Sequence, residues 1–204
     1  MALATYSDLQ AAVQTWLDRT DISAQAPDCI TLAEGYFQRN LRVRQMIATS
    51  TFTTTAGVAT LPTDFLGAIS VRRMGNPVTT LLPLDDAEFN RLYCTLTSGT
   101  PNAYLISGLS IYVAPVDNTT NLNLNYYQKI PALSISNTTN WLLTAYPDLY
   151  LFGTIAEAEL LSKDGQSGAG WKARRDEVCQ EIQMSEAFRY RAPSPQIRIQ
   201  GINP

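Results

Sequence analysis

The chain has 204 residues, 45% of them hydrophobic but only 16% charged, with a net charge of −3 and no histidine. That length holds one domain with a full core, or a small domain carrying an insertion, and the acidic balance (pI about 4.9) excludes an overall basic field for gathering nucleic acid. Charged residues usually reach about 25%. Here Thr, Ser, Asn and Gln take their place, which favours a protein that covers part of its surface with other chains.

Met1-Ala-Leu-Ala-Thr-Tyr-Ser leads straight into an amphipathic pattern, so no signal peptide is expected. Thr5-Tyr-Ser-Asp8 has the form of a helix-capping signal. Behind it Tyr6, Leu9, Val13, Trp16 and Leu17 fall on one stripe of a first helix. A second helix is predicted from about Pro27, a residue suited to the first turn, with Ile30, Ala33, Phe37 and Leu41 buried and Cys29, Leu32 and Tyr36 widening that face. Arg39, Arg42 and Arg44 cluster at its C-terminal end, where cations offset the helix dipole. The alternative is that these arginines pair with acidic groups on a neighbouring subunit.

The pattern changes at Ala48. Thr49 to Thr55 is β-branched and polar, Ala56-Gly57 turns the chain, and Val58 to Leu61 returns as a hairpin. Phe65 to Met74 reads as a longer strand with Leu66, Ile69 and Val71 inward, and Val78 to Leu82 as its short return. Asp85 to Tyr93 shifts to helical spacing. Strands follow at Ala103–Ile106, Leu109–Val113 and Leu122–Tyr127, the first two joined at Ser107-Gly108. The strict alternation of Leu122-Asn-Leu-Asn-Tyr-Tyr127 marks a sheet with one dry and one wet face.

Pro147 and Asp148 then open a helix that is apolar nearly all round, through Leu149, Tyr150, Leu151, Phe152, Ile155, Ala156, Ala158 and Leu160. Such a helix is buried on several sides, and the body is built around it. Lys163 to Gly170 reads as a glycine-rich turn. Trp171, Val178 and Ile182 line a last amphipathic helix, with Lys172, Arg174, Arg175, Asp176, Glu177, Glu181 and Glu186 around the remainder. Pro193 and Pro195 end it, and Ile197 and Ile199 alternate with Arg198 and Gln200 in a strand pattern that has nothing nearby in sequence to pair with. Docking on another chain, by adding a strand to its sheet edge, is the favoured reading of this segment, with a frayed terminus as the alternative.

The fold class is therefore α+β: a helical bundle body of two N-terminal and two C-terminal helices (1–47 and 136–190), an inserted antiparallel β-rich section (48–135) and an extended C-terminal tail (191–204). Chemistry is sparse. The missing histidine removes the commonest general base and metal ligand. Cys29, Cys94 and Cys179 are too few and too scattered for a zinc site or a disulfide framework, and read as reduced thiols. Gly165 to Gly170 lacks the Gly-Lys-Ser/Thr ending of a phosphate loop. Asp85, Asp86 and Glu88 are helix N-terminal charges before they are catalytic carboxylates, although a hydrolase is the alternative they would serve. No catalytic residue, metal or cofactor is assigned, and no run approaches the roughly 18 apolar residues of a membrane span. A carbohydrate- or receptor-binding β module on a helical anchor is a further alternative, with Tyr104, Tyr112, Tyr126 and Tyr127 as stacking residues.

The order of short motifs is informative. An early Tyr6-Ser-Asp-Leu9 helix precedes Leu41-Arg-Val-Arg-Gln-Met46, Leu61-Pro-Thr-Asp-Phe65 and Tyr126-Tyr-Gln-Lys-Ile-Pro-Ala-Leu133. Asn140-Trp-Leu-Leu143 and Tyr146-Pro-Asp-Leu-Tyr150 then open the closing helices. In this order and spacing, over essentially its whole length, the chain resembles the bacteriophage head-to-tail adaptor (connector, head-completion) proteins. That resemblance implies a structural, non-enzymatic protein of the virion, made in the host cytoplasm and placed at the head–tail junction. It further implies a homo-oligomeric ring, commonly of twelve copies, beneath the portal protein. Such a ring extends a channel for double-stranded DNA without sequence-specific binding and receives tail nozzle or tail-fibre proteins. A C-terminal extension would reach the portal, carried here by Pro193, Pro195, Ile197, Arg198, Ile199 and Ile202.

Overall fold

The computed structural model describes residues 3–93, 98–117, 119–161 and 165–190. In chain order the elements are α1 (Tyr6–Leu17), α2 (Ala26–Asn40), β1 (Ile47–Thr55), β2 (Val58–Thr60), β3 (Phe65–Arg73), β4 (Thr79–Thr80) and β5 (Leu82–Pro83). There follow α3 (Asp86–Tyr93), β6 (Ala103–Ser107), β7 (Ser110–Ala114), β8 (Thr119–Gln128), α4 (Trp141–Ala145), α5 (Pro147–Leu161) and α6 (Gly165–Tyr190). This is a mixed α+β chain. Its contacts divide it into two compact units, one formed by residues up to Gln45 and from Ile130 onward, the other by Met46–Lys129. The predicted tail, 191–204, lies outside the described residues, as does Cys94.

In the helical unit α1 begins with a full capping box: Asp8 N–H donates to Thr5 Oγ1 at 3.2 Å, and Thr5 N–H donates to Asp8 Oδ2 at 3.0 Å. Ile30, Ala33, Phe37 and Leu41 are buried, as their spacing predicts. The sequence reading put Leu32 and Trp16 on buried faces too, yet each is 54% exposed. α5 is enclosed as expected, with Leu149, Tyr150, Leu151, Ile155, Ala156 and Ala158 buried. Two of its residues depart from that reading: Phe152 is half-buried and Leu160 exposed. A Cβ at Gly153 would lie 2.6 Å from the Phe37 ring, so α2 and α5 cross too closely there for any side chain.

Two expectations about the helices need correction. Three helices, not two, close this unit, because the chain breaks at Tyr146 and α4 forms a separate short turn capped by Asn140, whose Oδ1 accepts the Leu143 N–H at 2.8 Å. The glycine-rich segment is not a turn from Gly165 onward. Gly165 to Gly170 form the start of α6, and a Cβ at Gly168 would meet Glu159 Cβ at 3.5 Å, an ordinary packing distance, so this end of α6 lies against α5 despite the low helix propensity of its glycines.

A buried polar chain ties the 130–140 linker to this bundle. The Glu34 Oε1 accepts the Leu133 N–H at 2.8 Å and the Tyr150 hydroxyl at 3.0 Å. The amide of Asn140 donates to Tyr150 Oη and to the Pro131 carbonyl, both at 2.7 Å. Burial pushes the Glu34 carboxyl above its ordinary value of 4.5, and the two hydrogen bonds it accepts only partly oppose this.

The second unit is one eight-stranded sheet in the order β4-β3-β8-β1-β2-β7-β6-β5. Its first and last strands are separated in sequence by Leu81 alone. The chain therefore passes from one edge of the sheet to the other in a single residue, which requires those edges to meet. The sheet is a nearly closed barrel. Leu81 is buried at the seam, its N–H donating to Val71 O, while the next N–H, of Leu82, donates to Asn102 O, each at 2.9 Å. Leu61, Val71, Tyr104, Ile111, Val113, Leu122, Leu124 and Tyr126 complete the core with it.

Three local readings change inside the barrel. Phe65, Ala68 and Val71 pack on the core at a spacing of three rather than two, because register shifts leave Leu66 and Ile69 unpaired against β8. Ile69, expected inward, is exposed. The section is not wholly antiparallel, since β5 and β6 pair parallel, joined by a crossover through α3. The β6–β7 turn is Gly108-Leu109, one residue later than expected, because Ser107 pairs with Ser110. The β1–β2 turn falls as predicted at Ala56-Gly57, both with positive φ (51° and 77°), the backbone of a two-residue hairpin.

Two outcomes follow from this packing. Leu81→Ala should cost about 2–5 kcal/mol in urea unfolding, since it empties the point where the sheet edges meet. The folded state holds the Glu34 proton more tightly than the unfolded chain does. Its contribution to stability is therefore largest below pH 4.5 and falls as pH rises through the higher folded value. The melting temperature of the native chain relative to Glu34→Gln should accordingly decline with rising pH across that interval, as read by thermal melts in a pH series.

Candidate assembly surfaces

The residues that suggested chemistry are occupied in holding the fold. Asp85 Oδ1 accepts the Glu88 N–H at 2.7 Å, making it the cap of α3, while Asp86 and Glu88 lie in that helix's first turn. Tyr104 and Tyr126 are 7% and 5% exposed, and the Tyr126 hydroxyl donates to Asp64 Oδ1 at 3.0 Å. Tyr127 points to the opposite face from Tyr126 and is half-buried; Tyr112 is exposed. The four tyrosines thus do not form a stacking platform. Cys29 and Cys179 are buried reduced thiols, both held above the ordinary thiol value chiefly by burial. Among the described residues there is no cluster that could hold a metal ion, and no helix long and apolar enough to cross a membrane.

The helical unit contains one buried charge cluster that the sequence reading missed. Arg175, placed there outside the apolar side of the last helix, is buried. Its Nη1 donates to Glu157 Oε1 at 3.2 Å and its Nε to Asp176 Oδ1 at 2.9 Å. The guanidinium carbon lies 3.6 Å from the centroid of the Tyr36 ring, and the Tyr36 hydroxyl donates to the same Asp176 oxygen at 2.6 Å. Burial, together with that carboxylate, pushes the Tyr36 hydroxyl up to about 12. The cluster joins α2, α5 and α6. Glu186 is also buried and accepts the Arg44 N–H at 3.4 Å. The signal was present: Trp171, Arg175, Val178, Ile182 and Glu186 share one helical stripe. Glu34 likewise lies beside Ala33 on the apolar stripe of α2.

The arginines at the end of α2 take the dipole role proposed for them at Arg42, whose guanidinium donates to the Gln38 carbonyl at 2.8 Å and also to Leu41 O. Elsewhere in the same unit is an aromatic group with a solvent-facing side. The Phe152 and Trp171 rings stack with centroids 5.9 Å apart, and Trp16 meets both edge-on at 6.4 and 5.9 Å. The Arg174 guanidinium lies 5.8 Å from the Phe152 ring. Leu32, Leu160 and Met184 add further exposed apolar surface on α2, α5 and α6.

The barrel has two unlike outer faces. Across β1 and β8, Thr49 pairs with Asn125 and Thr53 with Asn121 through side-chain hydrogen bonds of 2.8 and 2.7 Å. An open cavity of about 350 Å³ near this ladder is lined by Thr51, Phe52, Thr53, Met74, Asn121 and Leu122, with no titratable group to act as acid or base. Across β2 and β7 the surface is apolar instead, with Val58 opposite Tyr112 and Leu109 exposed at the turn. Both units therefore present exposed apolar residues among the described surface.

Comparison with curated proteins gives no significant match. A family model does match: SU10 adaptor protein, over residues 4–198. That span takes in both the helical unit and the inserted barrel. The chain belongs to the SU10 adaptor protein family, a family of phage head–tail adaptors.

Proposed function

We propose that this protein is a structural, non-enzymatic adaptor that closes into a ring beneath the portal at the head–tail junction of the virion, with twelve copies as the expected number. The observation that carries the proposal is the family match, which spans nearly the whole chain and both structural units. The exposed apolar residues of the helical unit support a ring in which each copy covers its neighbour's surface by heterologous contact. The ring extends the DNA channel, and a chain with net charge −3 suits that role, because each phosphate it neutralised would retard the sliding duplex. Tail nozzle or tail-fibre proteins dock on the barrel. In the same proposal the C-terminal segment, through Pro193, Pro195, Ile197, Arg198, Ile199 and Ile202, engages the portal.

The test is assembly on purified portal, read by co-sedimentation and negative-stain images. Rings should form with the full chain. Deletion of residues 192–204 should leave the melting temperature of the body unchanged while abolishing co-sedimentation, and undiminished co-sedimentation would remove the tail from the portal contact. Leu32→Glu should alter stability by no more than about 0.5 kcal/mol, because the site is exposed, yet prevent ring closure.

A further inference from the structure

β1 has an open side. All nine of its residues, Ile47 to Thr55, pair in unbroken register with β8, while on the other side only Thr55 pairs, with Val58. Thr55 and Val58 flank the two-residue turn, so Thr55 directs its N–H and C=O towards β2. Backbone direction alternates along a strand, so Ile47, Thr49, Thr51 and Thr53 direct theirs the same way, away from β8. The far side of β8 agrees: Asn121, opposite Thr53, gives its carbonyl to the Met74 N–H at 2.8 Å. Among the described residues no strand pairs with 47–53 on the open side.

Proteins guard such rows with lysines, prolines, bulges or short strands. β1 has none of these, being uncharged, proline-free and unbroken over nine residues. Its outer residues Thr49, Thr51 and Thr53 are exposed. On the core side Ser50 and Phe52 stay half-buried, although Leu124 and Leu122 opposite them in β8 are fully buried. The barrel wall lacks a neighbour there.

The strand that fits this edge is the edge itself. The free stretch of β1 is centred on Ser50. Run antiparallel to a second copy about that residue, it sets Ile47 against Thr53 and Thr49 against Thr51, so the outward backbone groups of each copy meet those of the other. The side chains match as well: Phe52 falls opposite the small Ala48, Ser50 opposite itself, threonine opposite threonine, and no charge meets a like charge. We propose that the unassembled protein is a reversible dimer, formed by antiparallel pairing of residues 47–53 of two copies about Ser50. The contact is isologous and joins copies in twos, so it belongs to the free protein and not to a cyclic ring, whose contacts are heterologous. Seven residues a side are far fewer than the roughly 20–30 of a standard interface. The pair therefore gives way readily to assembly, and until then it keeps an aggregation-prone edge covered.

Sedimentation equilibrium of the full chain, without portal, tests this. The native chain should show a concentration-dependent dimer. The double variant Thr49→Lys, Thr51→Lys sets lysine against lysine at two pairs, on exposed positions, and should weaken the dimer at least tenfold while the melting temperature of the monomer stays unchanged. Ser50→Cys should cross-link on oxidation with diamide, because position 50 faces itself across a strand pair with Cβ atoms about 4.5–5.5 Å apart. It should do so beyond any cross-linking of the native chain, whose Cys29 and Cys179 are buried. A native chain that stays monomeric, a dimer that the double variant leaves intact, or a Ser50→Cys chain with no added cross-link overturns the proposal. Ring formation on portal is scored separately, so failure of the dimer and failure of the ring are told apart.

Discussion

α5 is apolar on most of its circumference, and the helical unit is built to cover it. Its apolar residues run nearly all the way round, so neighbours must cover it from several directions at once. Gly153 admits the Phe37 ring, and Tyr150 packs edge-on against that ring beneath α2. The same crowding decides the polar interactions. The Tyr150 hydroxyl is buried with the helix and must have partners, which Glu34 and Asn140 supply. Through Leu133 and Pro131 those partners also hold the chain that returns from the barrel. One hydroxyl thus links the core of the bundle to the point where the inserted unit ends.

The barrel obeys a different constraint, the need to dispose of sheet edges. Leu81 brings two of them together, and two bulges bend β3 towards that closure. Closure is incomplete at β1, because the β1–β2 hairpin separates immediately after its turn: β1 follows β8 while β2 follows β7. Among the described residues, the open side of β1 and the exposed aromatic and aliphatic side chains of the helical unit are left uncovered.

The two units divide the work of recognition by chemistry. The helical unit offers aromatic and aliphatic surface with arginines close by, suited to desolvated contact between large flat faces. The barrel offers an uncharged Thr/Asn ladder on one side and an apolar face on the other.

Much of this was legible in the residues alone. Helix caps and turns depend on neighbours a few positions away, so Thr5 with Asp8, Pro27 and Ala56-Gly57 could be read directly. Strict alternation gave the two faces of β8, and the all-round apolar pattern marked α5 as enclosed. The order of the motifs carried the family. What tertiary structure alone decided were the matters that depend on distant partners. The bulges that turn Ile69 outward exist only against β8, and the parallel β5–β6 pair exists only because α3 spans the crossover. The segment Gly165–Gly170 is helical against its own propensity. Arg175 and Glu34 are buried because acidic, aromatic and amide groups from other helices meet them there. Local sequence determines which conformations a segment can take at low energy; which one it keeps, and which charges can leave water, is determined by contacts that only the folded chain creates.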